Sequence, residues 1–436
     1  MSEHTHNTYF MVGIGGIGMS ALAQLLVERG DVVTGSDRAE TPVTEMLESK
    51  GIKVVIGQKA ENVPAGITML VYSDAVAFDH EERVASRENG TPEASYFQML
   101  GQVSEGKRTI AIAGTHGKTT TTGMLAKILH DAGASSTAIV GSIVRDFGSN
   151  YLPGESDLFV VEACEYQRHF LNLNPEIVVI TNIEFDHTDY FTDLADVQDA
   201  FRALIEKVPA HGYIIADTEA PGVQPLLEGA QATIISYTEE PSYTLRLPGE
   251  FNRMNARAAS AAARVLEPEL SVGAIAGSLE NFHGTWRRFE YKGEFDGVTV
   301  YDDYAHHPTA IAETLRALRE QMGALGATAK DGRIIALFHP HLYSRTKDLL
   351  DSFARAFGDA DEVIIAPIYA ARETDDGSIS SEILAARVRE NAVSVRAIDS
   401  FEDAETMVRG MAKAGDVVVT MGAGDIYKVA DSLVAK

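Results

Sequence analysis

Cysteine is almost absent from this chain. Of 436 residues only Cys164 carries a thiol, so no intrachain disulfide can form, which fits a reducing cytoplasm. Positive charge is also scarce. Lys and Arg number 37 against 63 Asp and Glu, a formal charge of −26. That balance argues against nucleic acid or an anionic membrane as the main partner, because phosphate backbones are bound by basic surfaces. Small phosphate ligands stay open, since a few local N–H donors hold one inside an acidic protein. No apolar run approaches the roughly 18 residues of a membrane-spanning helix. The opening Met1-Ser2-Glu3-His4 is polar and lacks the basic n-region of a secretion signal. Short-period repeats and low-complexity segments are not seen.

What is present is ordinary globular material, 45% apolar and 23% charged. At roughly 100–200 residues per domain the length predicts two to four domains. Apolar β-rich runs occur at Tyr9–Val12, Lys53–Ile56, Met69–Tyr72, Ile110–Ile112, Leu158–Val161, Ile177–Ile180, Ile334–Phe338, Glu362–Ile365 and Val417–Thr420. Helical stretches at Ile17–Arg29, Lys118–Ala132, Val197–Lys207, Asn255–Leu266, Pro308–Met322 and Leu349–Phe357 lie among them. Continuous apolar strands alternating with helices imply parallel sheets covered on both faces. Gly30, Gly51 and Gly133 each follow a helical stretch, where a left-handed terminating residue is wanted. Breaks at Gln102–Arg108 and His283–Thr285 divide the chain into three α/β domains, residues 1–106, 107–284 and 285–436.

Two glycine loops carry chemistry. Residues 9–20 read Tyr-Phe-Met-Val-Gly-Ile-Gly-Gly-Ile-Gly-Met-Ser. A strand ends at Gly13 and a helix begins near Ile17. Gly13, Gly15 and Gly18 let the backbone turn sharply, and the helix N-terminus offers free N–H groups to a diphosphate. A second strand ends at Asp37, where a short acid accepts from a ribose or base. A dinucleotide site is the commoner owner of such a loop, and a ligand-free tight turn uses the same residues.

The second loop, Gly114-Thr115-His116-Gly117-Lys118-Thr119, also joins a strand to a helix. Its N–H groups cradle phosphate oxygens, Lys118 reaches the terminal phosphates and the Thr119 hydroxyl sits on Mg²⁺. A strict P-loop has Gly at the position of Ile112, so this is a variant. Two later strands run into Glu162 and into Thr181-Asn182-Ile183-Glu184-Phe185-Asp186-His187. Carboxyl ends of parallel strands gather on one edge, which brings Glu162 and His187 to the same loop. A carboxylate and an imidazole there can complete a divalent-cation site. Mg²⁺ prefers oxygen, which leaves room for Mn²⁺. A packed, metal-free histidine is the other reading of His187. The pair His306-His307 invites a zinc reading, but adjacent histidines point different ways and no third ligand sits at zinc spacing nearby, so zinc is not expected. The acidic run Glu373-Thr374-Asp375-Asp376 reads as a solvated loop.

The ordered set of motifs resembles the Mur ligases. It comprises both glycine loops, Thr181-Asn182-Ile183 followed by Asp186-His187, Gly249–Ala256, Arg287–Glu290, Asp302–Pro308, Phe338–Thr346 and Gly422–Asp425. It covers nearly the whole chain. The resemblance implies a Rossmann-like N-terminal domain that binds a UDP-sugar, a central P-loop-type domain with a mostly parallel sheet that binds ATP, and a Rossmann-like C-terminal domain that brings the amino acid. It implies an ATP-dependent amide ligase of peptidoglycan synthesis acting through an acyl phosphate. Within the family, the opening loop and the Pro-His-x-Tyr-Ser-Arg-Thr block point to joining of L-alanine to UDP-N-acetylmuramate.

The resemblance also implies roles. Gly15, Gly16, Ile17, Asp37 and Ser73 hold the UDP part. Gly114, Thr115, His116, Gly117, Lys118, Thr119 and Thr120 hold the ATP phosphates, Asn255 contacts adenine, Arg288 reaches the γ-phosphate, and Asp303 and Tyr304 close over the nucleotide. Thr119, Glu162 and His187 bind two Mg²⁺ ions, with Glu162 bridging. Lys118, Glu162, His187 and Arg288 are the expected catalytic set, and His341 and Arg345 line the amino-acid pocket. Four places depart from the family pattern. Cys164-Glu165-Tyr166-Gln167 follows Glu162 where Asp-Glu-Ser-Asp is common. Phe251 stands for a frequent His and Leu342 for a frequent Arg. Tyr96-Phe97-Gln98 also replaces an Arg-containing turn. A relative that adds a whole cell-wall tripeptide to the same sugar nucleotide is one alternative, and a non-catalytic UDP-sugar sensor is another. A folylpolyglutamate synthase lacks the first loop's domain, and an oxidoreductase leaves the Gly-Lys-Thr-Thr loop unexplained. Monomer and homodimer are both compatible with the sequence.

Overall fold

The computed structural model describes residues 6–324, 332–391 and 393–435, so the opening Met1–His4 segment lies outside the described residues. Three sheets follow one another along the chain. The first contains β1 (Thr8–Val12), β2 (Val32–Asp37), β3 (Lys53–Ile56), β4 (Met69–Tyr72) and β5 (Glu93–Ser95), in the order β3-β2-β1-β4-β5. Every pairing is parallel. This is the Rossmann strand order without its sixth strand, with the order reversing beside β1.

The central sheet contains β6 (Arg108–Ala113), β7 (Thr137–Val144), β8 (Ser149–Leu152), β9 (Leu158–Glu162), β10 (Ile177–Ile180), β11 (Tyr213–Ala216) and β12 (Thr233–Ser236). Their order is β12-β11-β10-β6-β9-β7-β8, and only the β7–β8 hairpin is antiparallel. The third sheet contains β13 (Glu290–Phe295), β14 (Val298–Asp303), β15 (Ile334–Phe338), β16 (Glu362–Ile365), β17 (Ser394–Ala397) and β18 (Val417–Met421). Its order is β13-β14-β18-β15-β16-β17, with an antiparallel edge at β13–β14.

The inner strands are apolar on both faces because helices cover both. Ile110, Ile112, Val160 and Val179 face the cluster under helices Lys118–Asp131 and Glu250–Leu266, while Ala111, Val161, Val178 and Ile180 belong to the opposite one. Burial of each such Val or Ile side chain contributes about 1.5–3 kcal/mol. Gly30, Gly51 and Gly133 have φ of +91°, +81° and +76°, so each ends its helix in the left-handed conformation that the sequence suggested.

Several expectations shift at element edges. The helix expected from Asn255 begins a full turn earlier, at Glu250, and the one expected from Val197 begins at Leu194, where the Asp193 carboxylate accepts from the Asp196 amide. The polar run at Gln102–Arg108 is not all linker, since helix Tyr96–Ser104 extends into it. Its start is a reciprocal capping box: the Ser95 amide donates to Gln98 at 2.8 Å and the Gln98 amide to Ser95 at 3.2 Å. Near the second break, the Trp286 amide donates to the Ile143 carbonyl at 2.8 Å, and Val144 bridges Thr285. The chain leaving the central sheet is therefore pinned to β7.

The first sheet is fastened to the second by polar and apolar contacts. Asn150 on β8 reaches the Ser20 hydroxyl at 3.0 Å and Gln24 at 3.2 Å, and Tyr151 donates to Glu28 at 2.9 Å. Met99, Leu100 and Val103 share one core cluster with Phe170 and Leu173. Among the described residues no helix is long and apolar enough to cross a membrane.

Gly35 on β2 permits the first loop to cross it, for a Cβ there would lie 2.4 Å from the Met11 carbonyl and 2.8 Å from Ile14. Gly35→Ala is therefore expected to destabilise the protein by about 1–3 kcal/mol. Urea denaturation at neutral pH measures this, and an unchanged midpoint would contradict the close crossing.

Candidate functional site

The first loop gathers its expected residues at the tips of β1, β2 and β4. Gly13 has φ +77° and donates to the Ser36 carbonyl at 2.9 Å, while Gly15 donates to Asp37 Oδ2 at 2.8 Å. Ser73 packs beside Gly13, where an added Cβ would meet its Cβ at 3.2 Å. Gly16 caps the helix that starts at Ile17. Gly15, Gly16, Ile17, Asp37 and Ser73 thus share one edge.

Opposite lies the Tyr96-Phe97 turn that the sequence marked as a departure, together with His169 and Asp74, which sequence reasoning missed. Tyr96 leaves no room for a side chain at Gly18, where a Cβ would lie 2.6 Å from its ring. Phe97 stacks on His169 with ring centroids 4.0 Å apart, and His169 lies 3.7 Å from Asp74. Burial holds His169 down at about 4 and pushes Asp74 up to about 6.

The second loop is built around positions where only glycine fits. Gly114 has φ +136°, and a Cβ there would lie 2.0 Å from Thr181 Oγ1. Gly117, at φ +83°, would drive one to 2.2 Å from Asn255 Oδ1, so Asn255 rests directly against the loop. Asn182 braces the loop by accepting from the His116 amide at 2.9 Å, and Thr115 Oγ1 accepts from the Glu184 amide at 2.9 Å. Thr119 and Thr120 lie in the first turn of helix Lys118–Asp131.

The Lys118 ammonium donates to Glu165 at 2.9 and 3.0 Å and to the Gly114 carbonyl. Glu165 was noted only as a departure, yet it lies at the centre of the cluster, with His187 Nε2 3.5 Å away. Burial pushes the Glu165 carboxyl up, but Lys118 and His187 overcome this and hold it below the ordinary range. Burial likewise opposes charge on Lys118, and Glu165 reverses that, raising the ammonium. Cys164, beside them, is pushed up to about 12 chiefly by burial. The backbone is strained here, since Gln167, Arg168 and His187 all have positive φ.

Glu162 accepts from Thr119 Oγ1 at 2.9 Å and from the Gly141 amide at 2.9 Å. Arg288, from the third domain, donates to Thr119 Oγ1 at 3.2 Å and lies over the Tyr304 ring at 4.7 Å. Thr119, Glu162 and Glu165 offer oxygens, and His187 one nitrogen, around the end of the loop. That donor set fits a divalent cation that favours oxygen.

Asp303 has both carboxylate oxygens on backbone amides, those of Phe289 and Ala305, each at 2.7 Å. Burial pushes it up to about 6. It shapes the turn that carries Arg288 and Tyr304. Arg345 donates to Asp186 at 2.8 Å, with His341 Nδ1 3.0 Å from Nη1. Burial and the neighbouring Arg345 hold His341 near 3, so it is neutral. Leu342, between them, is buried in a left-handed conformation at φ +70°.

Loops from the central and third sheets enclose a cleft of about 610 Å³. Lys118, Thr119, Glu162, His187, Asn255, Arg288, Asp303, Tyr304, His341 and Arg345 all line it. The first-loop group lies apart, on the first sheet. His116, Glu184 and His307 also converge, with ligand atoms within 4.8 Å of one another. Sequence spacing offered His307 no third ligand, and the fold supplies two from distant loops.

Three family models match in sequence order. The Mur ligase family catalytic domain matches residues 8–108, the Mur ligase middle domain 112–243, and the Mur ligase glutamate ligase domain 287–424. The UDP-N-acetylmuramate–L-alanine ligase of Desulfitobacterium hafniense (strain Y51) is 41% identical over 462 residues, covering 100% of both chains. That of Clostridium botulinum (strain Okra / Type B1) is 38% identical, covering 99% of this chain and 97% of its own. Among solved structures, the UDP-N-acetylmuramate–alanine ligase of Thermotoga maritima superposes with a TM-score of 0.81 at 25% identity, covering 98% of each chain. A murein peptide ligase from Psychrobacter arcticus superposes at 0.74, also at 25% identity, covering 99% of this chain and 100% of its own.

Glu165→Gln leaves the Lys118 charge buried without its partner, which costs about 3–5 kcal/mol. Because the Glu165 carboxyl is depressed in the folded state, its stabilisation is present above the ordinary glutamate pKa of about 4.3 and is lost as pH falls below it. Urea denaturation between neutral and acid pH should show that the variant lacks this acid-side loss. Parallel pH curves would contradict the assignment.

Proposed function

The chain belongs to the Mur ligase family, and from that premise we propose that it joins L-alanine to the carboxylate of UDP-N-acetylmuramate at the expense of ATP. The observation that carries this reading is the convergence of the phosphate loop, Glu162 and Arg345 on one cleft between the central and third sheets. Full-length similarity to ligases of that name supports it. Domain limits at 106/107 and 284/285 divide the work among three units.

The sugar's lactyl carboxylate attacks the γ-phosphate, forming an acyl phosphate and releasing ADP. The amine of alanine then attacks the acyl carbon, and phosphate leaves. Both partners of the first step are anionic, so the barrier is largely electrostatic. Lys118 holds the terminal phosphates, and Arg288 adds positive charge from the opposite wall. Thr119, Glu162 and His187 would hold the divalent cations, which supply further charge neutralisation when bound. Glu165 keeps Lys118 charged and aimed at the end of the loop. Asn255, against Gly117, and Tyr304 take the nucleoside end. Gly15, Gly16, Ile17, Asp37 and Ser73 take the UDP end.

Arg345 is the partner for alanine's carboxylate. Asp186 fixes its Nε and His341 borders Nη1, so its planar fork is presented in one orientation. The contacts between third and central domains keep water from the acyl phosphate, which would otherwise hydrolyse.

A coupled phosphate-release assay with UDP-N-acetylmuramate tests the reading. Release with L-alanine supports it, and turnover with the cell-wall tripeptide alone would transfer the assignment to the peptide-adding relative. Lys118→Ala is expected to abolish release. Arg345→Lys is expected to raise the KM for alanine roughly 10–100-fold, the equivalent of a charge-assisted hydrogen bond; an unchanged KM would remove Arg345 from that role.

A further inference from the structure

We propose that His116, Glu184 and His307 form a binding site for one zinc-type transition-metal ion, separate from the Thr119, Glu162 and His187 group, and that this ion ties the phosphate loop to the third domain. His116 Nε2 lies 3.6 Å from Glu184 Oε2, and His307 Nδ1 lies 3.9 Å from the same oxygen. All three ligand atoms fall within 4.8 Å of one another. Bonds of about 2.0–2.1 Å at tetrahedral angles place ligand atoms about 3.3–3.4 Å apart. The atoms therefore need only a modest inward movement.

The hydrogen bonds set the imidazoles up as ligands. His307 Nε2 lies 3.2 Å from the Phe185 carbonyl oxygen, which can only accept. Nε2 therefore carries the proton, and Nδ1, 3.9 Å from Glu184, carries the lone pair. The Thr309 amide donates to that Nδ1 at a long 3.3 Å. A ring N–H anchored on a backbone carbonyl, with the other nitrogen unprotonated, is the usual arrangement of a metal-binding histidine. His116 Nε2 is buried and has no hydrogen-bond partner, an unsatisfied state that a metal would relieve. The Thr309 hydroxyl donates to Glu184 Oε2 at 2.6 Å and orients the carboxylate.

Two imidazole nitrogens and one carboxylate oxygen suit zinc, cobalt or nickel and not Mg²⁺, which wants an octahedron of oxygens. Three protein ligands leave a fourth position for water. His116 and Glu184 belong to central-sheet loops and His307 to the third domain, so an occupied site resists separation of the two.

The test uses Co²⁺ as a spectroscopic probe on the full-length, ATP-free protein with excess Mg²⁺ present. One equivalent should bind, with the visible absorption of four-coordinate Co²⁺, and Zn²⁺ should displace it. His307→Ala and His116→Asn should each lose that equivalent, and His187→Ala should keep it. X-ray absorption of the zinc-loaded wild-type protein should count two imidazole ligands, a readout that needs no variant to fold. No equivalent bound by the wild type, fewer than two imidazoles, or loss in His187→Ala with retention in His307→Ala would each overturn the proposal.

Discussion

A buried lysine at the end of a phosphate loop must be kept charged, and that constraint organises the centre of this molecule. Lys118 and Glu165 have side-chain exposures of only 14% and 3%. Burial alone would disfavour charge on both, yet each raises or lowers the other toward its ionised form. An ion pair so placed adds little net stability, because desolvation offsets the attraction. Its value here is positional. Glu165 draws Lys118 to one side of the loop and holds His187 close, while Glu162 accepts from Thr119. Two carboxylates from the tip of β9 thereby arrange the loop that leaves β6.

A single stretch after β10 extends this order to the third domain. Asn182 braces the His116 amide, Glu184 meets Thr115 and Thr309, and the Phe185 carbonyl faces His307. Asp186 holds Arg345, and Asp189 meets Arg372. Residues 182–189 are therefore read from both sides. The third domain therefore meets the phosphate loop both directly, where Arg288 donates to Thr119, and through this segment. His187 sits in it at φ +53°, a strained conformation of the kind that clusters at functional sites.

Much of the fold was legible because each strand and helix carries its own periodic signal. Lys53–Ile56, Met69–Tyr72, Ile177–Ile180, Ile334–Phe338 and Glu362–Ile365 have the bounds that their apolar runs suggested. The strands buried least, such as β12 and β17, and the β7–β8 hairpin gave no comparable signal. Their residues are partly exposed or mixed with polar ones, so no continuous apolar run marks them. Within the site, Gly114, Gly117, Lys118 and Thr119 were readable from one short loop. Glu165 was not, although it lies only three residues beyond Glu162, because nothing local distinguishes a carboxylate that meets a lysine 47 positions away.

Sequence alone determined the three α/β units, the two glycine loops and the strand ends where polar residues stop apolar runs. Those are local properties, set by side-chain hydrophobicity and by glycine's access to positive φ. The tertiary structure decided which ends meet. Asp186 and Arg345 are 159 residues apart, and Arg288 and Thr119 are 169 apart. The partnership of His116, Glu184 and His307 likewise spans two domains. No periodicity encodes such pairings. They exist because sheet order and domain docking bring distant loops to one edge, where burial makes each charge depend on the partner opposite.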